Sequence, residues 1–232
     1  MHYVKQLFQL FAFLLLATGP SLHAQNQFAP PGAEWCLSGY DGNGETLGYI
    51  KVRYERDSIV AGLPTKVMSI QSRKLTPRGL VDVFTARTEL FQQSGDSVFY
   101  YVPAIADQVY LFKENYVAAE ETTSWMYNDI FSVLTVDETL VDGYPVSVAK
   151  MNLLPWLMRD LPVTMYGAWG PDRGFITNWG PFLDGEGGEW LEAFRADSVP
   201  EVKVVPRSPC FSLMEVEDNR ITVQTPVEDS NI

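Results

Sequence analysis

The chain has 232 residues and carries 29 acidic against 17 basic side chains, a formal net charge of −12 at pH 7. A surface this acidic repels the phosphates of nucleic acids and the headgroups of anionic lipids. The composition therefore predicts that neither nucleic acid nor an anionic membrane is a partner. The length suits one large β domain as well as two small ones.

The first 24 residues are typical of a secretory signal peptide. Lys5 supplies a positive start, residues 7–17 form an apolar run, and Leu22-His23-Ala24 offers small or apolar residues at a cleavage site. A comfortable membrane span needs about 20 apolar residues, which is more than this run provides. We therefore expect cleavage between Ala24 and Gln25. The mature protein would then be secreted, periplasmic or at the cell surface, with no stable membrane span.

Cleavage there would remove every histidine of the chain, because the two present are His2 and His23. Histidine is the usual general base near neutral pH and the commonest metal ligand. The expected mature chain, with 16 basic and 29 acidic residues and a charge of −13, thus excludes a Ser-His-Asp or Cys-His nucleophile and a His-ligated zinc or iron site. We assign no catalytic residues and favour a protein that is not an enzyme.

Two cysteines remain, Cys36 and Cys210. In an exported protein an even pair is a candidate disulfide. The alternative is two buried free thiols packed as small apolar residues. Cα atoms farther apart than about 7 Å would exclude the bridge.

The rest of the chain is predicted as short strands separated by turns. Period-2 alternation is clear around residues 50–55, and aromatic and branched residues favour strand at 97–102. The predicted strands are 34–40, 46–55, 66–73, 81–92, 97–102, 107–112, 131–138, a return strand ending near 151, 191–205 and 210–216. Residues 118–121 can form one helical turn, and 152–161 is a short helix or an irregular crossing.

One hairpin pattern occurs twice. Ile59-Val60-Ala61-Gly62-Leu63-Pro64 is echoed by Leu140-Val141-Asp142-Gly143-Tyr144-Pro145. An apolar pair, a two-residue turn ending in glycine and a return strand predict a tight β-hairpin, because glycine tolerates the positive φ of such turns.

These elements predict an all-β fold. We expect an antiparallel meander that forms a sandwich or open barrel of about 10–12 strands, with at most one or two short helices. Residues 25–216 form a single β domain in this interpretation, and residues 217–232 form a polar, acidic C-terminal tail.

Several stretches resemble the N-terminal β-rich domains of Bacteroidetes secreted proteins associated with type IX secretion. The resemblance rests on the opening Phe28-Ala29-Pro30-Pro31-Gly32-Ala33-Glu34-Trp35, the tyrosine-containing strand 48–52, the hairpin 57–62, the run 97–101 and Pro209-Cys210-Phe211. It implies export and a β fold, and it brings no catalytic residues. The C-terminal sorting domain of those proteins is expected to be absent here.

The aromatic and acidic loop 166–194 is the best candidate for a site. Its tryptophans can stack on sugar rings while its polar groups bind hydroxyls, and its arginine can hold a ligand carboxylate or pair with a nearby Asp172 or Asp184. The candidate ligand residues are Trp169, Arg173, Asn178, Trp179 and Trp190. The alternative, which we favour, is a loop pinned by aromatics buried against the sheet.

The same loop holds a candidate Ca²⁺ site, made of Asp184, Glu186 and Glu189. Ca²⁺ takes carboxylate and carbonyl oxygens, and the intervening glycines would let the carboxylates converge. A solvated acidic turn explains the stretch as well, and no other cofactor is expected. A two-carboxylate glycosidase needs no histidine, but no acidic pair of this chain stands out from the others.

The sequence thus predicts an exported, non-catalytic β module with a binding or structural role. The alternative is a glycan-binding or glycan-cleaving protein that works through loop 166–194. A glycan or another cell-envelope protein is the expected kind of partner.

Overall fold

The computed structural model describes residues 28–41, 43, 45–77, 79–124, 129–153, 162–172 and 188–218. Twelve strands, one short 3-10 helix and one α-helix lie in this part of the chain. The strands are β1 (Glu34–Tyr40), β2 (Thr46–Val60), β3 (Leu63–Thr76), β4 (Gly79–Ser94), β5 (Ser97–Val102), β6 (Asp107–Lys113), β7 (Glu121–Ser124), β8 (Asp129–Val141), β9 (Tyr144–Leu153), β10 (Val163–Tyr166), β11 (Gly188–Ala196) and β12 (Val199–Lys203). The 3-10 helix is Gly167–Trp169 and the α-helix, α1, is Cys210–Asp218.

The strands form two antiparallel sheets. The larger has eight strands in the order β12-β11-β1-β2-β3-β4-β5-β6, and the smaller has four in the order β10-β9-β8-β7. Neighbours along the chain pair almost everywhere, as a meander requires. The exceptions are β6/β7 and β10/β11, where the chain passes from one sheet to the other, and β11 returns from far along the chain to pair with β1. The all-β antiparallel prediction is confirmed.

Both repeated hairpins form as predicted. Ala61 and Gly62 have φ of 52° and 79°, and Asp142 and Gly143 have φ of 50° and 82°. Two successive positive values define the type I′ turn, whose twist matches that of the flanking strands.

The two sheets contribute to one hydrophobic core. Trp35, Ile50 and Phe194 of the large sheet belong to the same buried cluster as Val133 and Met151 of the small sheet. Phe28 precedes β1 and fills the cluster as well, with ring centroids 5.7 Å from Phe91 and 5.8 Å from Phe112.

Residues 210–216 are helical, so the prediction of a strand there was wrong. Pro209 precedes the helix, the Ser208 hydroxyl accepts the Cys210 N–H at 3.2 Å, and Cys210, Phe211 and Met214 are buried on one side. Proline is well suited to a helix start, and apolar residues at i, i+1 and i+4 make one helical face. The Ser-Pro start signal outweighs the β-like composition.

The helical turn considered for residues 118–121 is also absent. Glu120 N–H donates to the Val117 carbonyl at 3.1 Å in a tight turn, and Glu121 already begins β7. Most of the predicted crossing 152–161 lies outside the described residues, although Asn152 and Leu153 belong to β9.

Helix α1 covers the face of the large sheet that points away from the core. A Cys36–Cys210 disulfide joins it to β1, with Cα atoms 6.0 Å apart. Arg73 donates from Nη1 to the Met214 carbonyl at 2.6 Å, and the Arg195 guanidinium lies 4.3 Å from the centre of the Phe211 ring. Of the two possibilities considered from the sequence, a disulfide and two free thiols, the structure contains the disulfide.

Candidate ligand-binding cleft

A cleft of about 680 Å³ opens between the two sheets. One wall is formed by β8, β9 and β10 of the small sheet, and the other by the end of β12 and residues 204–207. We call it the inter-sheet cleft. Small-molecule sites occupy roughly 300–1,000 Å³, so the volume is that of a binding site.

Strand register explains how the small-sheet wall is built. Asp137, Val148 and Tyr166 are paired across β8, β9 and β10, and Lys150 is paired with Thr164 in the same way. Residues directly opposite one another in antiparallel strands point to the same face. The register therefore gathers a carboxylate, a phenol and an ammonium group on one surface.

The two walls are tied at the hairpin tip. Asp142, in the turn between β8 and β9, accepts the backbone N–H of Lys203 through Oδ2 at 3.1 Å. Leu140, beside this turn, lines the cleft and leaves 70 % of its surface exposed. The tip thus provides a polar anchor and an apolar rim.

The cleft is cationic on a strongly acidic protein. Lys150, Lys203 and Arg207 line it, against the carboxylates of Asp137 and Asp142. Lys203 Nζ lies 3.5 Å from Glu201 Oε1. Among the described residues, Lys150 and Arg207 have no carboxylate within 4.0 Å. Within the part of the chain that the structure describes, two cations are therefore available to a ligand.

Arg207 has a strained backbone. Its φ of 63° lies in the left-handed region, which a non-glycine residue occupies at a cost of about 1–2 kcal/mol. Residues with strained backbone are frequent at binding and catalytic sites, where the surrounding structure keeps them in the unfavourable conformation. Here it places a guanidinium group at the cleft.

Tyr166 contributes an un-ionised hydroxyl group. Burial raises the pKa of Tyr166, and the negative charge of Asp172 raises it further. The phenol therefore keeps its proton at neutral pH and can both donate and accept a hydrogen bond.

A smaller pocket of about 420 Å³ lies beside β1 and β11, but its two arginines, Arg53 and Arg195, are already paired with carboxylates. Glu34 accepts from Arg195 and lies 3.3 Å from Arg53 Nε, and Arg195 also pairs with Glu215 Oε1 at 2.7 Å. These groups stabilise the contact between sheet and α1. They are less open to a ligand than Lys150 and Arg207.

Two buried carboxyl groups, those of Glu192 and Glu114, are hydrogen-bonded within the protein and lie outside the inter-sheet cleft. Glu192 accepts hydrogen bonds from the hydroxyls of Ser38 and Tyr40 on the outer face of the large sheet. Glu114 accepts from Gln93 Nε2 at 2.8 Å, and its Oε1 has no partner among the described residues. Burial raises the pKa of Glu114 to about 7, while the Phe28 N–H and Gln93 partly oppose this shift.

Two of the five predicted ligand residues can be placed, and they lie on opposite faces of the large sheet. Trp169 is buried, with its ring stacked on Phe194 at 4.9 Å between centroids. Trp190 is 38 % exposed and lies edge-on to Tyr40 at 6.4 Å. They do not form one platform. Arg173, Asn178 and Trp179 lie outside the described residues.

The predicted Ca²⁺ ligands cannot be brought together from the described structure. Glu189 lies in β11 opposite Gly39, whereas Asp184 and Glu186 lie outside the described residues. Across the described ranges, no group of three or more His, Cys, Asp or Glu side chains is arranged to hold a metal ion. The calcium site stays a prediction.

Sequence reasoning missed Lys150, Lys203 and Arg207. They come from β9, from β12 and from the segment before α1, and no short pattern joins them. A weak signal was available, since Lys150 lies in the return strand of the second repeated hairpin, on the same face as Val148.

Comparison with known proteins gives two solved structures of low similarity. No protein-family model matches the chain, and no curated protein matches it. A predicted exported protein with a YmcC-like fold from Bacteroides fragilis has a TM-score of 0.39 and 10 % identity, over 74 % of this chain and 99 % of that one. A predicted lipoprotein from Parabacteroides distasonis has a TM-score of 0.36 and 10 % identity over the same shares. No described helix is long and apolar enough to cross a membrane.

Proposed function

We propose that this chain is an exported, non-catalytic binding module whose ligand site is the inter-sheet cleft. The observation that carries the proposal is the cleft itself, which has the volume of a small-molecule site and walls from both sheets. Export rests on the signal-peptide pattern of residues 1–24.

The walls of the cleft are suited to binding without large rearrangement. They consist mainly of paired strands, and the Asp142–Lys203 hydrogen bond fixes one wall against the other. Ligand sites built on such rigid elements lose less conformational entropy on binding.

A cleft-filling variant tests the site. Thr139 lines the cleft and is exposed on β8, so Thr139→Trp should block the cleft while a strand still accommodates the new ring. Thr88→Trp, at an exposed position of β4, is the matched control. The mature protein would be screened on an array of neutral and acidic glycans and in a thermal-shift screen of small molecules.

We expect a ligand whose binding is lost in Thr139→Trp and kept in Thr88→Trp. Binding that survives Thr139→Trp would refute the cleft as the site. N-terminal sequencing of the exported product should give Gln25 as the first residue, and a retained leader would refute the export step.

A second candidate is glycan binding or cleavage through loop 166–194. The observation in its favour is the half-exposed Trp190 beside Tyr40, since paired aromatics offer stacking surface to a sugar ring. Loss of glycan binding in Trp190→Ala and Trp179→Ala, together with full binding by Thr139→Trp, would select this candidate.

A further inference from the structure

We infer that the inter-sheet cleft takes an acidic saccharide, with its carboxylate held by Lys150 and Arg207 and its hydroxyls held by Asp137 and Tyr166. This inference rests on the proposed function, because it names the ligand class of the same cleft.

The lining of the inter-sheet cleft differs in charge from the rest of the protein. The cleft presents three cations and two carboxylates, whereas the whole protein carries a net charge of −12. Positive charge is therefore concentrated in the cleft, although the protein as a whole is negative. Such a cleft attracts an anion at close range.

Two of the cations in the cleft are open to a ligand carboxylate. Lys150 and Arg207 are exposed, and no carboxylate of the described chain lies within 4.0 Å of either. A guanidinium group matches a carboxylate with two parallel hydrogen bonds, and an ammonium group adds a point charge. The positive φ of Arg207 shows that the fold holds this side chain's backbone in an unfavourable conformation.

Other groups in the cleft favour a saccharide over a simple anion. Asp137 and Tyr166 are cross-strand partners of Val148 and line the same cleft. A carboxylate accepts hydrogen bonds from hydroxyls but repels an anion, and the protonated Tyr166 can donate or accept. A lining of cations and hydroxyl-binding groups fits a molecule that carries both a carboxylate and several hydroxyls.

The test uses charged and neutral forms of the same sugars. Oligogalacturonate, oligomannuronate and a hyaluronan tetrasaccharide would be titrated calorimetrically into the mature protein, each beside its carboxamide and its methyl ester, two neutral forms that differ in bulk at the former carboxylate. Inorganic phosphate would be titrated as a simple anion. We expect at least one acid form to bind more tightly than both of its neutral forms by about tenfold or more, since a charge-assisted hydrogen bond discriminates by that amount.

Three variants locate the effect. Lys150→Gln and Arg207→Gly should each weaken binding of the acid form by about tenfold. Arg56→Gln, which removes an exposed cation on β2, should leave it unchanged. Because glycine relieves the positive φ, Arg207→Gly should melt at the same or a higher temperature than the wild type, so its loss of binding cannot be loss of fold.

Each outcome decides something. Equal affinity for the acid and its neutral forms, with binding lost in Thr139→Trp, would overturn this inference and leave the proposed binding cleft standing. Phosphate binding as tightly as every saccharide would overturn it in favour of a simple anion site. No binding by any acid form would overturn it outright.

Discussion

Trp35 donates its indole N–H to the carbonyl oxygen of Trp169 at 2.9 Å, across 134 positions of the chain. The bond joins β1 of the large sheet to the 3-10 helix that follows β10 of the small sheet. Around it, the Trp169 ring lies 4.9 Å from Phe194 and 5.9 Å from Tyr144. This contact helps to fix the relation of the two sheets, and hence the shape of the cleft between them.

The two described tryptophans of loop 166–194 should differ sharply in their effect on stability. Trp169→Ala removes a buried ring and is expected to lower the free energy of unfolding by about 3–5 kcal/mol. Trp190→Ala removes a half-exposed ring and should cost about 1 kcal/mol. Urea unfolding of both variants measures the difference. Equal losses would contradict the difference in burial between the two rings.

The disulfide should contribute strongly to stability. Cys36 and Cys210 are 174 positions apart, and closing so long a loop is worth about 5 kcal/mol in the chain-entropy model. The double variant Cys36→Ala/Cys210→Ala should therefore unfold at much lower urea concentration, as should the wild type in reductant. Reductant should not shift the double variant further. A wild-type midpoint unaffected by reductant would refute the bridge as a stabilising element.

Glu114 should make the folded protein less stable as the pH rises. Its pKa is raised from 4.5 to about 7 by burial, so the folded state holds a proton that the unfolded state releases. The stabilisation is full below pH 4.5 and is lost as the pH rises through about 7, and its total is about 3 kcal/mol. No histidine follows residue 24, so no other side chain ordinarily titrates between pH 5 and 8.

The expected result is a free energy of unfolding that falls between pH 5 and pH 8 in the wild type and stays level in Glu114→Gln. The control Glu138→Gln, at an exposed carboxylate, should follow the wild type. A level wild-type profile would show that Glu114 is already ionised in the folded protein.

Two glycines with similar backbone angles should respond differently to alanine. Gly32 has φ of 71°, and a Cβ there would lie 2.0 Å from Asp197 Oδ1 and 2.9 Å from Asp197 N. Gly62 has φ of 79°, and nothing lies within 4 Å of its Cβ position. Both variants lose about 1 kcal/mol to the left-handed backbone, and Gly32→Ala should lose about 1–2 kcal/mol more to the clash. Thermal unfolding compares them, and equal losses would contradict the close approach of Asp197.

The local parts of this fold were predictable and the long-range parts were not. The turns at Ala61-Gly62 and Asp142-Gly143 follow from neighbouring residues, because turn type is decided within four positions. The pairing of β11 with β1 and the disulfide between Cys36 and Cys210 depend on residues that are far apart in the chain. From the sequence, a disulfide and two free thiols were both possible. Residues 210–216 were misread because their composition favours strand and the Ser208-Pro209 start was given no weight.

The difference between local and long-range structure also explains why the residues of the cleft were not predicted from the sequence. Loop 166–194 drew attention because its aromatic and acidic residues are contiguous, yet the described Trp169 belongs to the core. Lys150, Lys203 and Arg207 meet only because β9, β12 and the approach to α1 come together. A site assembled from three distant segments leaves no continuous trace in a single sequence.

The most direct measurement is mapping by NMR of the backbone amides that shift when the mature protein binds a saccharide from the acidic panel. The inter-sheet cleft predicts the largest changes at Lys150, Tyr166, Lys203 and Arg207, with Tyr40 and Trp190 unchanged. Changes centred on Tyr40 and Trp190, with the four cleft amides unmoved, would contradict the account.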